Sequence, residues 1–88
     1  MRILFTAPAW DDYLHWQATD PKLLARLNAL IRECQHDPFR GLGKPEPLKA
    51  DLRSWWSRRL TLEDRLVYRV VGAGAEQTLQ IAQCRYHY

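Results

Sequence analysis

Apolar residues in the first part of the chain follow two different spacings. The run at residues 2–6 (RILFT) ends shortly before Pro8, which predicts a short strand. Over residues 8–18 the large apolar side chains recur three and four positions apart, from Trp10 to Leu14. This spacing predicts a helix, with Trp10 packed in the core.

The most regular pattern in the chain begins directly after Asp20-Pro21. Asp20 is a favourable N-cap, and Pro21 suits the first position of a helix. An apolar stripe then continues from Leu23 to Cys34 at helical spacing. We therefore predict a second amphipathic helix that ends near Gln35.

The second half of the chain changes from helical to alternating spacing. Residues 36–49 (HDPFRGLGKPEPLK) contain three prolines and two glycines, which predicts a turn-rich loop without regular structure. Three alternating segments follow, and short turns connect them. This arrangement predicts an antiparallel meander of three strands, at residues 54–60, 65–71 and 78–86.

Alternation also assigns the residues of the last two strands to two faces. One face carries Leu66, Tyr68 and Val70 with Ala82, Cys84 and Tyr86, and the other carries Arg65, Val67 and Arg69 with Gln83, Arg85 and His87. A sheet of this size needs cover, so both helices should pack on the apolar face. The predicted fold class is α+β, a twisted and mostly antiparallel sheet with two N-terminal helices on one face.

Length and composition fit one small folded domain, residues 1–88. The chain is 47% apolar and 26% charged, which excludes a disordered tail. No apolar run approaches the about 20 residues of a membrane helix, and the N-terminus does not resemble a secretion signal. Cys34 and Cys84 are interpreted as small buried hydrophobes, and a reduced cytoplasm is the expected location.

Positive charge is concentrated in the middle of the chain. The net charge is +3 overall, but residues 40–69 carry +4 and the rest carries −1. Such a distribution predicts an anionic partner, with phosphate as the first candidate, and the four Trp and four Tyr residues offer surfaces for base stacking. Composition alone favours another interpretation, in which the aromatic residues form the core and the arginines solvate a sheet face.

Two titratable side chains are candidates for acid–base chemistry. Glu46 stands between two prolines, which restrict the backbone and hold this carboxylate in place. His87 is the penultimate residue and follows the last predicted strand. Two simpler interpretations stay open, a solvated loop acid for Glu46 and a frayed terminus for His87.

Three cations lie near Glu46 in the sequence, namely Lys49, Arg59 and Arg65. Together with a base and an acid, such cations satisfy the requirements of metal-free RNA cleavage, because the 2′-hydroxyl of RNA is a built-in nucleophile. The base removes its proton, the cations stabilise charge on phosphorus, and the acid protonates the departing 5′-oxygen. The sequence has no metal-ligand constellation, so neither a metal nor another cofactor is expected.

Several separated motifs resemble those of one known family. They are WDDYLHWQATD (10–20), GKPEPLK (43–49), WSRRLTLEDRLVYRV (56–70) and QCRYHY (83–88). In this order they are similar to motifs of the YoeB/Txe toxins, small RNases of bacterial toxin–antitoxin modules in the RelE/ParE superfamily. The resemblance covers essentially the whole chain, and the fold that it implies agrees with the one predicted from periodicity.

The resemblance implies a ribosome-dependent mRNA interferase that cleaves messenger RNA in the A site and inhibits translation. Glu46 matches the general base of the family, His87 its general acid, and Arg65 the arginine that stabilises the pentavalent phosphorane. Lys49 and Arg59 match positions around the phosphate. Tyr88 matches the final tyrosine, which is thought to position the scissile region.

The resemblance also implies the partners of this chain. They are mRNA on the ribosome, a YefM/Axe-like antitoxin and a second copy in a homodimer, with operator DNA contacted only through the antitoxin complex and no membrane involved. Residues 72–77 (GAGAEQ) form a longer turn than we expect for the family, at the far end of its hairpin from Arg65.

Two alternatives to the RNase remain. One is a non-enzymatic toxin of the same superfamily that poisons DNA gyrase, and the other is a basic RNA-binding module. The same fold can carry any of these activities, so the site residues must decide. Neither alternative requires both a loop carboxylate at Glu46 and a histidine at position 87, which favours the enzyme.

Overall fold

The computed structural model describes residues 1–87 and shows two helices on one face of a five-stranded sheet. In chain order the elements are β1 (Arg2–Phe5), α1 (Ala7–Thr19), α2 (Pro21–His36), β2 (Glu46–Pro47), β3 (Trp56–Arg59), β4 (Arg65–Val71) and β5 (Thr78–Gln83). The strand order is β1-β5-β4-β3-β2. Among residues 1–87, the β1–β5 pair is the only parallel one, and the other three pairs are antiparallel. The predicted α+β class is confirmed. Neither helix is long and apolar enough to span a bilayer, within residues 1–87.

The loop between α2 and β3 contains a short strand that was not predicted. In β2, Glu46 pairs with Ser57 and Pro47 with Trp56, so the prediction that residues 36–49 lack regular structure is wrong at this point. Proline is tolerated here because β2 lies at the edge of the sheet. The pairing fixes Glu46 beside β3.

The last strand is shorter than predicted and contains a bulge. Tyr68 pairs with Ile81 and Val67 with Gln83, so Ala82 is an extra residue on β5. The strand ends at Gln83, and alternation does not continue beyond it. Tyr86 is 60% exposed, so its predicted place on the buried face is wrong.

The core lies between the helices and the sheet. Its buried members are Ala9, Trp16, Leu27, Leu30, Ile31, Cys34, Leu60, Leu66, Tyr68, Leu79, Ile81 and Cys84. Both cysteines are buried, as predicted, and neither forms a disulfide bond within residues 1–87. In α1, however, Trp10 is 46% exposed and stacks on Tyr13, so its predicted core position is wrong.

Arg58 does not belong to the positive surface that the charge distribution suggested. It is fully buried on the helix-facing side of β3. Its Nε donates to Tyr68 Oη at 3.1 Å and its Nη1 to Glu33 Oε1 at 3.2 Å. Burial alone would lower the pKa of Arg58, but the bond to Tyr68 and the nearby charges outweigh it and raise the pKa. The remaining Nη bonds reach the backbone carbonyls of Asp37, Arg40 and Leu42.

The bonds from Arg58 hold the loop that leads to β2, and a backbone bond at Gly43 attaches the same loop to β3. The carbonyl of Gly43 accepts the Arg59 N–H at 2.6 Å. Gly43 has a φ of +80°, and a Cβ here would lie 3.0 Å from the Arg59 carbonyl oxygen, so a side chain would strain this close approach. The loop is therefore fixed to β3 just before it delivers Glu46.

Candidate active site

The sheet face opposite the helices carries Arg65 and Arg69, as alternation in β4 predicts. Arg85, which alternation also assigned to this face, lies beyond the end of β5, with its guanidinium carbon 5.9 Å from the centroid of the Trp16 ring in α1. We define this open face by Glu46, Ser57, Arg59, Arg65, Val67, Arg69, Gln80 and Gln83, which follow from the strand pairing. The alternate residues Leu66 and Tyr68 are fully buried in the core, which confirms the predicted separation of the faces in β4. The open face collects three arginines and one carboxylate, so an anion is its natural ligand.

Glu46 and Arg59 form an exposed ion pair on the open face. Glu46 Oε1 lies 3.9 Å from Arg59 Nη2, and about half of each side chain is exposed. Glu46 and Lys49 also line a shared cleft of about 360 Å³. An exposed pair of this kind stabilises the fold by only about 0–1 kcal/mol, so both partners are available to a substrate.

Arg65 lies directly opposite Arg59 across the β3–β4 pair. Like charges in this position repel each other, and a bound anion would relieve the repulsion. Arg65 Nη1 donates to the carbonyls of Thr61 at 2.8 Å and Asp64 at 3.1 Å. The turn that connects the two strands therefore holds this guanidinium at the edge of the open face.

The C-terminal segment returns to the start of β4, beside Arg65. The Arg65 N–H donates to the Tyr86 carbonyl at 3.0 Å, and the Tyr86 N–H donates to Asp64 Oδ1 at 2.7 Å. Tyr86 has a φ of 66°, which turns the chain here. His87 follows with an exposed side chain, one residue after the contact with Arg65.

A second pair of bonds ties the same segment to α1. The Cys84 N–H donates to Asp12 Oδ2 at 3.1 Å, and Trp16 Nε1 donates to the Cys84 carbonyl at 2.8 Å. Burial raises the pKa of Asp12, although the bond from Cys84 opposes the shift. Burial also raises the pKa of the Cys84 thiol to about 12, so this cysteine stays a neutral packing group.

The predicted site residues fall into two adjoining groups. In the first group, Glu46 and Lys49 line one cleft and Arg59 pairs with Glu46. In the second, Arg65 lies opposite Arg59 across the β3–β4 pair and is bonded to the segment that carries His87. Tyr88 lies outside the described residues. Within residues 1–87, no three His, Cys, Asp or Glu side chains cluster in a way that could hold a metal ion.

The residues that hold the C-terminal segment could not be recognised from the sequence. Asp12 and Asp64 act on backbone amides that lie 72 and 22 positions away in the chain. For Asp64 the only sequence signal is a weak local one, because Thr and Asp side chains often bond to the backbone of a turn. In the turn (TLED) between β3 and β4, Asp64 exchanges hydrogen bonds with Thr61. Its contact with Tyr86 has no sequence signature.

Comparisons with known proteins agree on one family. The sequence model described as a YoeB-like toxin of the bacterial type II toxin–antitoxin system matches residues 5–88. Toxin YoeB of Escherichia coli (strain K12) is 49% identical over 88 residues, which is 100% of both chains.

Solved structures give the same result. A YoeB/ParE toxin from Agrobacterium tumefaciens is 53% identical, with a TM-score of 0.97 and 100% of both chains covered. The YoeB dimer from Staphylococcus aureus and the heterotetrameric YoeB–YefM toxin–antitoxin complex from that organism are each 37% identical. They cover 100% of this chain and 98% of theirs, with TM-scores of 0.89 and 0.87.

Proposed function

The chain belongs to the YoeB-like toxins of bacterial type II toxin–antitoxin systems, as its motifs predict, and from this premise we propose that it is a ribosome-dependent mRNA interferase. It cleaves messenger RNA in the ribosomal A site and thereby stops translation. The observation that carries this proposal is the exposed Glu46–Arg59 pair, 3.9 Å apart, on a cationic face. A base beside a phosphate-binding cation is the arrangement that metal-free RNA cleavage requires.

The reaction begins at the ribose next to the scissile phosphate. Glu46 takes the proton of the 2′-hydroxyl, and the 2′-oxygen forms a bond to phosphorus. The bond from phosphorus to the 5′-oxygen breaks, and protonated His87 gives its proton to that oxygen. The products are an RNA end with a 2′,3′-cyclic phosphate and an RNA end with a 5′-hydroxyl. No water enters this step.

The cations stabilise the charge that develops on the phosphorane. Arg65 contacts the phosphoryl oxygens, with Lys49 and Arg59 around the same phosphate, while Tyr88 positions the scissile region. The weak pair between Glu46 and Arg59 supports this assignment. A phosphate can take over Arg59 at little energetic cost, and the exchange leaves the Glu46 carboxylate ready to act as a base.

The family also supports a set of partners. The related Staphylococcus aureus toxin is described as a dimer and in complex with YefM. For this chain we propose a YefM/Axe-like antitoxin, a homodimer, and contact with operator DNA only through the antitoxin complex. The mRNA partner sets the location, because translating ribosomes are in the cytoplasm.

Primer extension on translated mRNA after brief induction of the protein tests the proposed function. Discrete breaks within codons are expected. Intact message together with damaged DNA would contradict it and would favour a gyrase poison of the same superfamily. Intact message and intact DNA, with RNA bound by the purified protein, would favour the non-enzymatic RNA-binding module.

A further inference from the structure

Trp55 and Arg69 form a cation–π pair at the end of the open face that lies away from Arg65. The guanidinium carbon of Arg69 is 4.4 Å from the centroid of the Trp55 ring. The β3–β4 register pairs Trp56 with Tyr68, so its continuation by one residue places Trp55 opposite Arg69. Both side chains therefore lie on the same side of the sheet as Glu46 and Arg59.

A second contact fixes the orientation of the Arg69 guanidinium. Arg69 pairs with Gln80 across β4 and β5, and its Nε donates to Gln80 Oε1 at 2.6 Å. Within residues 1–87, neither Nη group of Arg69 makes a hydrogen bond. A planar cation is thus held flat on an indole ring, with its outer N–H groups available to a ligand.

The position of this pair relative to Arg65 suits a linear ligand. Arg65 and Arg69 lie on the same face of β4, four residues apart, which corresponds to about 13 Å along a strand. Val67 lies between them on the same face and is only 4% exposed. A small apolar side chain that does not project from the sheet therefore separates the two cations. A single strand of RNA bound at Arg65 and running along β4 would reach Arg69 within a few nucleotides.

We propose that Trp55 and Arg69 form an RNA subsite that binds a nucleotide flanking the scissile phosphate. Arg69 contacts a phosphate through its Nη groups, and a base stacks against the Trp55–Arg69 pair. This inference rests on the proposed function, because the site at Glu46 determines which strand enters the open face.

A purely structural role for the pair is the competing explanation. Trp55 and Arg69 lie beside Val67 and Ser57, which are both buried outside the main core cluster, and they help to cover this part of the sheet. Covering the sheet requires apolar area, however, and does not require a guanidinium whose Nη groups have no hydrogen-bond acceptor among residues 1–87. Substitutions can separate the two roles, because stacking and charge can be removed while apolar area is kept.

The test measures binding of a 2′-O-methyl single-stranded RNA oligonucleotide by fluorescence anisotropy over a range of salt concentrations. For Arg69→Ala we expect about 5- to 100-fold weaker binding and a salt-dependence slope reduced by about 0.7, the value for one lost phosphate contact. Arg69→Lys should restore the slope and leave part of the affinity loss, since lysine does not stack. Trp55→Leu should weaken binding with the slope unchanged.

Arg2→Ala is the matched control. Arg2 is also an exposed arginine, it lies on β1 at the opposite edge of the sheet, and it pairs with Glu76. Equal effects of Arg69→Ala and Arg2→Ala on affinity and slope would overturn the subsite, as would a wild-type protein that does not bind the oligonucleotide. Melting temperatures of all variants show whether a loss of binding reflects a loss of folding.

Cleavage of translated mRNA by the wild-type protein separates this inference from the proposed function. If the wild type cleaves and Arg69→Ala behaves like Arg2→Ala, the subsite alone is wrong. If the wild type leaves message intact and the Arg69→Ala variant binds RNA more weakly than the wild type, the proposed enzymatic activity is wrong. The Trp55–Arg69 pair then serves an RNA-binding module instead.

Discussion

The Asp64 carboxylate accepts a 2.7 Å hydrogen bond from the backbone amide of Tyr86. This bond ties the segment that carries His87 to the turn before β4, where Arg65 donates to the Tyr86 carbonyl. The position of the proposed general acid thus depends on Asp64, whose carboxylate accepts hydrogen bonds from the Tyr86 amide and the Thr61 hydroxyl. We therefore propose Asp64 as a positioning residue.

Asp64→Ala should release the C-terminal segment and lower the rate of mRNA cleavage by about 10- to 100-fold, because small displacements of a catalytic group are costly. Hydrogen exchange at the Tyr86 amide should become faster. Asp64→Asn keeps an acceptor oxygen and should restore most of the rate, while the neighbouring Glu63→Ala is the control for lost charge. Normal exchange and a normal rate in Asp64→Ala would refute this role.

Arg58→Lys tests the buried arginine that holds the loop before Glu46. Lysine cannot reach the Tyr68 hydroxyl, Glu33 and the loop carbonyls at the same time, so buried groups would lose their partners. We expect the free energy of unfolding to fall by about 3–5 kcal/mol, measured by urea denaturation. The adjacent exposed Arg59→Lys should change it by less than about 1 kcal/mol. Equal values for the two variants would contradict the structural role of Arg58.

Asp12→Asn tests how burial changes the pKa of the carboxylate that binds the Cys84 amide in the C-terminal segment. Because the pKa of Asp12 is raised in the folded protein above its ordinary value of 3.8, the folded state binds this proton more tightly than the unfolded state. The contribution of Asp12 to stability is therefore largest below pH 3.8 and declines as pH rises through the folded pKa.

The amide side chain introduced by Asp12→Asn would keep an acceptor for the Cys84 N–H without this titration. The difference in unfolding free energy, variant minus wild type, should increase from acidic pH upwards and then level off above the folded pKa of Asp12. Urea denaturation at a series of pH values measures it. A difference that does not change with pH would contradict the assigned pKa direction.

Glu46→Ala and His87→Ala should each lower cleavage of translated mRNA by about 10²- to 10⁴-fold, the usual contribution of one general base or acid. The melting temperature should change little, since both side chains are exposed. The exposed Asp11→Ala and His36→Ala are matched controls. Wild-type rates in the two site variants would remove the acid–base assignment.

Features with a local cause could be predicted from the sequence. Asp20 caps α2 by accepting the Leu23 N–H at 3.1 Å, and β4 spans the predicted residues 65–71. In both cases the signal lies within a few neighbouring residues, as a capping side chain or an alternation of apolar positions. The turn at residues 72–77 also lies at the far end of its hairpin from Arg65, as expected.

Features that depend on distant contacts could not be predicted. β2 exists only because β3 pairs with it, and the bulge at Ala82 depends on the register with β4. Arg58 looks like its exposed neighbour Arg59 in the sequence, and the groups that bind its buried guanidinium come together only in the folded chain. They are the Tyr68 hydroxyl, the Glu33 carboxylate and three loop carbonyls. The candidate site divides in the same way. The two prolines beside Glu46 made it a candidate from the sequence alone, but Asp12 and Asp64, which hold the C-terminal segment, gave no comparable signal.

In the proposed mechanism the sugar of the RNA supplies the nucleophile, and the protein supplies only proton transfer and charge stabilisation. The most direct test of this mechanism is a translated message in which one ribose at a mapped cleavage position is replaced by 2′-deoxyribose. We expect cleavage to disappear at that position and to continue at unmodified positions in the same message. Cleavage at the 2′-deoxy position at the normal rate would contradict it, because another nucleophile would then attack the phosphate.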